Sequence, residues 1–278
     1  LRPELFIYDK SFSGGKTMGN ERKGTAFITG ASSGIGEAYA RRLAGEGFDL
    51  ALVARRKELL EKIASELEAA WGIKVSVLPA DLSLREDVLR LEDFIAKAEP
   101  LSFLINNAGF STAERFIDAD IEKLEKMIMV HNLATVWLTR VAITKMIGIN
   151  RGSIINVSSI AGVYPAPYNA VYDGTKAFLI LFTEGLFQEL KLAKVSGVKV
   201  QVVCPGYTRT GFHAAIGVER DIPDFFWLRP EEVVNASLKA LEKGKIICVP
   251  GALQRITTSF LLATPRRIRY EIIRRVER

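Results

Sequence analysis

Seven short apolar runs alternate with stretches in which apolar residues recur every three or four positions. The runs are Thr25–Thr29, Asp49–Ala54, Lys74–Leu78, Phe103–Ile105, Ser153–Val157, Val198–Cys204 and Ile246–Val249. Between them lie helical spacings. Ile35, Ala38, Tyr39 and Leu43 share one face, as do Leu60, Ile63, Ala64 and Leu67 within Lys57–Trp71. Val88, Leu91, Phe94 and Ile95 do the same within Arg85–Ala98. Longer helices are predicted over Ile121–Ile147 and Tyr172–Lys194, and another begins at Pro230. An unbroken apolar run suits a strand buried on both faces, and strand–helix alternation gives a parallel sheet covered on both sides. The pattern predicts an α/β fold: a doubly wound parallel sheet of about seven strands, joined by right-handed crossovers. Residues 25–250 read as one catalytic-sized domain, with no repeat or composition break inside it. Residues 1–24 read as an N-terminal extension and 251–278 as a basic helical tail.

The turn after the first strand reads Thr29-Gly30-Ala31-Ser32-Ser33-Gly34-Ile35-Gly36. A glycine-rich turn between a strand and a helix is where a dinucleotide pyrophosphate sits. Gly30 permits the sharp turn, Gly34 and Gly36 permit close approach, and the helix N-terminus supplies amide donors. At the end of the second strand stand Arg55 and Arg56, where an NAD site usually offers a carboxylate. Two guanidiniums with no acid suit the 2′-phosphate of NADP(H). Arg55, nearer the strand end, is expected to be the main contact, and Asp49 lies at the wrong end to substitute for the acid.

Tyr172 and Lys176 stand four apart, which stacks them on one helix face. A cation there is expected to lower the Tyr172 pKa and make the phenol useful as an acid or base. Ser159 lies thirteen residues upstream of Tyr172.

In these motifs the chain resembles the short-chain dehydrogenase/reductase family, from about Thr25 to Val249. The resemblance implies a Rossmann-type sheet and an oxidoreductase that interconverts a carbonyl and a secondary alcohol with NADP(H). It assigns dinucleotide contacts to Gly30, Ser32, Ser33, Gly34, Ile35 and Gly36. Asp81 and the following Leu82 would meet adenine, and Asn106-Asn107-Ala108-Gly109 would line the cleft. It implies a catalytic tetrad of Asn132, Ser159, Tyr172 and Lys176, with the last two also touching the cofactor. A Pro-Gly turn after the sixth strand, matched by Pro205, Gly206 and Thr208, would approach the nicotinamide. Ser159 and Tyr172 would also touch substrate, and Tyr168 is expected to line its cleft. Thr175, before the lysine, and Gly174 depart from the usual family residues. His131, beside Asn132, is expected to be structural. The competing reading is a non-catalytic dinucleotide-binding sensor or scaffold.

Residues 207–228 are expected to form a substrate lid. Its Phe212, Ile216, Val218, Ile222, Phe225, Phe226 and Trp227 could close on a lipophilic molecule, or equally pack on the body or another subunit. Two cysteines and two histidines, with no ligand spacing, predict no metal and no disulfide framework, hence a reduced, cytoplasmic setting. The N-terminal stretch lacks the continuous apolar core of a secretory signal, and no apolar run reaches the length of a membrane span. The formal charge of +6 is concentrated late: from Arg255 onward stand seven Arg against two Glu, a net of +5. The rest is near balance, which argues against nucleic acid as a partner. The expected partners are a small carbonyl or alcohol and further copies of the chain, as dimer or tetramer. In the tail, Ile268, Ile272 and Val276 form a stripe, read as packing on the protein or a neighbouring subunit ahead of peripheral membrane contact.

Overall fold

The structure, a computed structural model, describes residues 23–112, 114–212 and 223–276. Seven parallel strands form one sheet in the order β3-β2-β1-β4-β5-β6-β7. They are β1 (Thr25–Thr29), β2 (Asp49–Ala54), β3 (Val75–Pro79), β4 (Leu101–Asn106), β5 (Gly152–Val157), β6 (Val198–Val203) and β7 (Ile247–Cys248). The central strands are buried because both faces are covered: Ala26, Phe27 and Ile28 of β1 have no exposed surface. One face is packed by α1 (Gly34–Gly45), α2 (Lys57–Trp71) and α7 (Pro230–Glu242), through Tyr39, Leu43, Leu60, Ile63, Val233 and Leu238. The other is packed by α3 (Arg85–Lys97), α5 (Ala134–Gly148) and α6 (Ala170–Leu192), through Leu91, Ile95, Leu138, Met146 and Leu190. This is the Rossmann-type doubly wound sheet predicted. The strand order reverses between β1 and β4, and in such sheets the crevice at the strand ends there is where ligands bind.

The helix predicted over Ile121–Ile147 is not uniform. It begins as α4 (Ile121–Ile128), widens into a π-helical turn at Met129–Leu133, and continues as α5. Asp120 caps α4 by accepting the Glu122 amide. By length and composition the whole of Ile121–Gly148 could cross a membrane, although no single apolar run does. Here it packs on the sheet, with Ala134, Leu138, Ala142 and Met146 buried in the core.

The tail forms two helices, α8 (Ala252–Ala263) and α9 (Arg266–Val276). Within the single chain the predicted stripe on α9 is only partly covered, with Ile272 half-buried. Ile268 is 54% exposed, while Arg269 and Ile273, four apart, turn inward. Four-residue spacing marks a shared face but not which face the protein covers.

Candidate active site

The glycine turn is bound to the end of β4. The Thr29 hydroxyl accepts the amides of Asn107 (2.9 Å) and Ala108 (3.0 Å). The Asn107 side-chain amide donates to the carbonyls of Thr29 (3.0 Å) and Gly30 (3.2 Å). Glycine is required in this cradle. Gly30 has φ +65°, and a Cβ on Gly36 would lie 2.2 Å from the Gly30 carbonyl oxygen. The opening turn of α1 thus packs directly on the loop, with its N-terminal amides at the strand ends. An anionic dinucleotide fits such a cradle: amides, a helix N-terminus and small residues converge on it.

Arg56 reaches the same loop. Its guanidinium donates to the hydroxyls of Ser32 (2.9 Å) and Ser33 (3.0 Å). Arg55 is exposed and makes no such bond among the described residues, so of the two arginines it is Arg56 that touches the glycine loop. Arg56 precedes the first turn of α2 with extended backbone, which turns its side chain back toward the loop. Asp81 sits at the end of β3. Its carboxylate accepts the amide (2.9 Å) and hydroxyl (2.8 Å) of Ser83, an Asx turn that carries Leu82 into the core.

Ser159, Tyr172, Lys176 and Asn132 meet at the ends of β4 and β5. Ser159 directly follows the buried Ser158, whose hydroxyl donates to the Lys176 carbonyl (2.7 Å) and fixes β5 against α6. The Ser159 oxygen accepts the Ala161 amide (3.1 Å) and is hydrogen-bonded to the Tyr172 phenol. Lys176 is buried; its ammonium donates to the Val157 carbonyl (3.0 Å) and lies 5.6 Å from the Tyr172 ring centre. Asn132 donates to the Thr175 carbonyl (3.0 Å) from the π-helical turn. That widened turn sends both His131 and Asn132 inward, a distortion often found at functional sites. Below them runs a buried polar chain: Asn106 donates to Thr139 and Asn156, and Asn156 donates to Thr183.

His131 is fully committed. Its Nε2 accepts the Phe110 amide (3.0 Å), and its Nδ1 lies 2.8 Å from the Thr175 hydroxyl. That hydroxyl already donates to the Tyr172 carbonyl, so the proton between them belongs to Nδ1. Burial and the nearby Lys176 charge hold the imidazole neutral, far below its ordinary pKa.

The electrostatics correct one expectation. Burial pushes the Tyr172 phenol up to about 12; the Ser159 bond opposes this and Asp173 adds to it. Burial also lowers Lys176, to about 8. Stacking the two residues therefore does not by itself lower the phenol, because desolvation outweighs a cation lying beside the ring face. Cys204 is buried, and its thiol is pushed up to about 12, consistent with an unreactive residue.

Other expected residues lie at the rim or beyond it. Tyr168 is 52% exposed and held in the left-handed region at φ +66°, an uncommon posture for a bulky side chain. Gly206 packs against Gln254 of α8, close to Pro205. Thr208 is buried and donates to the Gly206 carbonyl (3.0 Å), so its hydroxyl is spent inside the turn. Sequence reasoning missed Thr210. Its methyl would lie 2.8 Å from a Cβ on Gly34, against the start of α1. A threonine two residues further along the same turn was the available signal. A cavity of about 610 Å³ opens beside it, lined by Gly34, Glu37, Arg41, Arg209, Thr210 and Trp227. Neither Ser159 nor Tyr172 borders that cavity, so it flanks the reacting groups rather than enclosing them. Of the residues expected to form a lid, Phe212 lies with its ring 6.0 Å from that of Tyr172, and Trp227 packs on Tyr207. Ile216, Val218 and Ile222 lie outside the described residues.

The family model described as short chain dehydrogenase matches residues 24–221. The chain belongs to that family of oxidoreductases, which work between CH–OH and C=O groups. It is similar to a very-long-chain 3-oxoacyl-CoA reductase of Anas platyrhynchos, 35% identical over 243 residues, covering 85% of this chain and 75% of that protein. Among solved structures it resembles a short-chain dehydrogenase from Sphingobium yanoikuyae in complex with NADPH. That likeness has a TM-score of 0.77 and 31% identity, covering 87% of this chain and 97% of the other. A bulky-bulky ketone specific alcohol dehydrogenase from Comamonas testosteroni aligns with TM-score 0.74 and 28% identity, over 88% of this chain and 96% of that one.

Proposed function

We propose that the protein interconverts a carbonyl and a secondary alcohol on a lipophilic small molecule, using NADP(H). The observation that carries this is the meeting of Ser159, Tyr172 and Lys176 at the strand ends, beside a glycine turn whose serines are held by Arg56. The dinucleotide, when bound, supplies or takes the hydride. In the reducing direction Tyr172 gives its proton to the alkoxide oxygen as charge develops there, and Ser159 donates a hydrogen bond to the same oxygen. Lys176 holds a positive charge beside the phenol and offers its remaining N–H groups to the nicotinamide ribose. Asn132 fixes the start of α6 through the Thr175 carbonyl and connects Lys176 to solvent through water. Gly30, Ser32, Ser33, Gly34, Ile35 and Gly36 cradle the pyrophosphate. Arg56, with Arg55 beside it, takes the 2′-phosphate.

A lipophilic substrate is supported by Phe212 against Tyr172, by the aromatic pair Tyr207 and Trp227, and by the acyl and bulky-ketone relatives. A cytoplasmic, reducing setting accords with Cys204 and Cys248 as two buried thiols on neighbouring segments. A dimer or tetramer is supported by exposed apolar residues on α4 to α6, among them Ile128, Leu181 and Phe178, whose ring stacks on the half-buried Phe182.

The test is NADPH absorbance with a panel of aldehydes, ketones and secondary alcohols. Turnover of at least one bulky apolar ketone, absent in Tyr172→Phe, is expected. Tight NADPH binding with no turnover across the panel would favour the sensor reading instead.

A further inference from the structure

We propose that the outer face of α8 and the arginines of α9 dock the protein on an anionic lipid surface, at the mouth of the substrate site. On its inner side α8 holds the lid: Gln254 is buried, and its amide donates to the Phe226 carbonyl (3.0 Å). On its outer side Ile256 is 67% exposed and Phe260 63%; Leu262, on another side of the helix near its end, is 55% exposed. Phe225, next to the residue that Gln254 holds, is 68% exposed. Isolated exposed apolar residues need no explanation, but here they gather on one helix and the adjoining lid.

The charge around this patch names the occupant. Between residues 252 and 276 stand six arginines and one acid, Glu271, which pairs with Arg274 at 2.6 Å. Arg255, Arg266, Arg267 and Arg275 are exposed. Arg269 is buried and takes no part. A second copy of the chain, docked face to face, would bring two sets of arginines together, which like-charge repulsion disfavours. An anionic bilayer meets both features at once: apolar side chains enter the acyl boundary while each nearby arginine is attracted to acidic headgroups. Docking there would turn the lid toward the phase in which a lipophilic substrate is dissolved.

The full-chain protein is sedimented with vesicles of equal parts phosphatidylserine and phosphatidylcholine, and with phosphatidylcholine alone. Binding to the acidic vesicles only, weakened by salt, is expected. Ile256→Ser with Phe260→Ser, and separately Arg266→Glu with Arg267→Glu, should each lower partitioning about tenfold or more. Melting temperature and reduction of a water-soluble ketone should stay unchanged. Equal binding to neutral vesicles, or binding indifferent to both variants, would overturn the proposal. So would a lack of vesicle binding accompanied by loss of a dimer in Ile256→Ser/Phe260→Ser, which would make the face an interface between copies. Partitioning is read without turnover, so this result stands or falls apart from the proposed reaction.

Discussion

The Thr175 hydroxyl accepts the Nδ1 proton of His131 at 2.8 Å while donating its own to the Tyr172 carbonyl. This joins the π-helical turn to the first turn of α6, and the Phe110 amide ties the loop after β4 to the same imidazole. Removing the acceptor leaves a buried N–H without a partner, at a cost of about 1–3 kcal/mol. Thr175→Val should therefore lower stability by that amount in urea titration and reduce kcat by misplacing Tyr172. Thr175→Ser, which keeps the hydroxyl, should restore most of both. Equal stability of the valine and serine variants would show that the bond does not matter.

Tyr172→Phe should fold and bind NADPH as the wild type does, yet lose at least about a hundredfold in kcat, the usual worth of a positioned acid. In the alcohol-oxidising direction the phenol must first lose its proton. With its pKa pushed up to about 12, the rate should climb with pH through the alkaline range. The Ser159 bond works to lower that pKa, so Ser159→Ala should move the rising limb to still higher pH. A limb that moved downward would contradict the assigned hydrogen bond.

Lys176 carries an opposite prediction for stability. Its folded pKa is about 8 against an ordinary 10.5, so between these values the unfolded chain binds more protons. Its contribution to stability then rises with pH from 8 to 10.5, by roughly 3 kcal/mol in all. Below pH 8 the protein bears the full cost of a buried ammonium. Lys176→Met should thus raise stability at pH 7 by about 1–3 kcal/mol while abolishing turnover, and the gain should vanish near pH 10.5. Urea midpoints of both proteins at pH 7 and pH 10 check this. A variant less stable than wild type at pH 7 would refute it.

Much of the framework was legible in the sequence because its signals are local. A short apolar run such as Leu50–Ala54, set between helical spacings, suits a strand covered on both sides, and three glycines between a strand and a helix restrict what the turn can do. Features set by neighbours were not legible. Met129–Leu133 has ordinary helical residues, and nothing in it announces a turn of wider pitch. The spacing of Tyr172 and Lys176 shows that they share a face, but not that burial raises the phenol pKa against the expected direction while lowering that of the lysine. Ile268 and Ile272 looked like a packing stripe because periodicity marks a face without saying what lies against it. The contact of Thr210 with Gly34 likewise depends on how the turn after β6 folds.

The same limit governed the two arginines, and it yields the sharpest test of the cofactor site. Arg55 is nearer the strand end, but it is Arg56 whose guanidinium lies on Ser32 and Ser33 at 2.9 and 3.0 Å. A 2′-phosphate reaching that loop would gain a charge-assisted bond from Arg56 in a setting already fixed by the serines. Losing it should cost about 1.5–3 kcal/mol, or roughly a ten- to hundredfold rise in Kd. Arg56→Ala should therefore weaken NADPH that far and leave NADH nearly unchanged, whereas Arg55→Ala should alter NADPH affinity by only about threefold. Fluorescence titration of both cofactors against both variants decides between them. If Arg55→Ala proves the more damaging, the hydrogen bonds from Arg56 to the serines only shape the loop, and the phosphate is bound from the strand end.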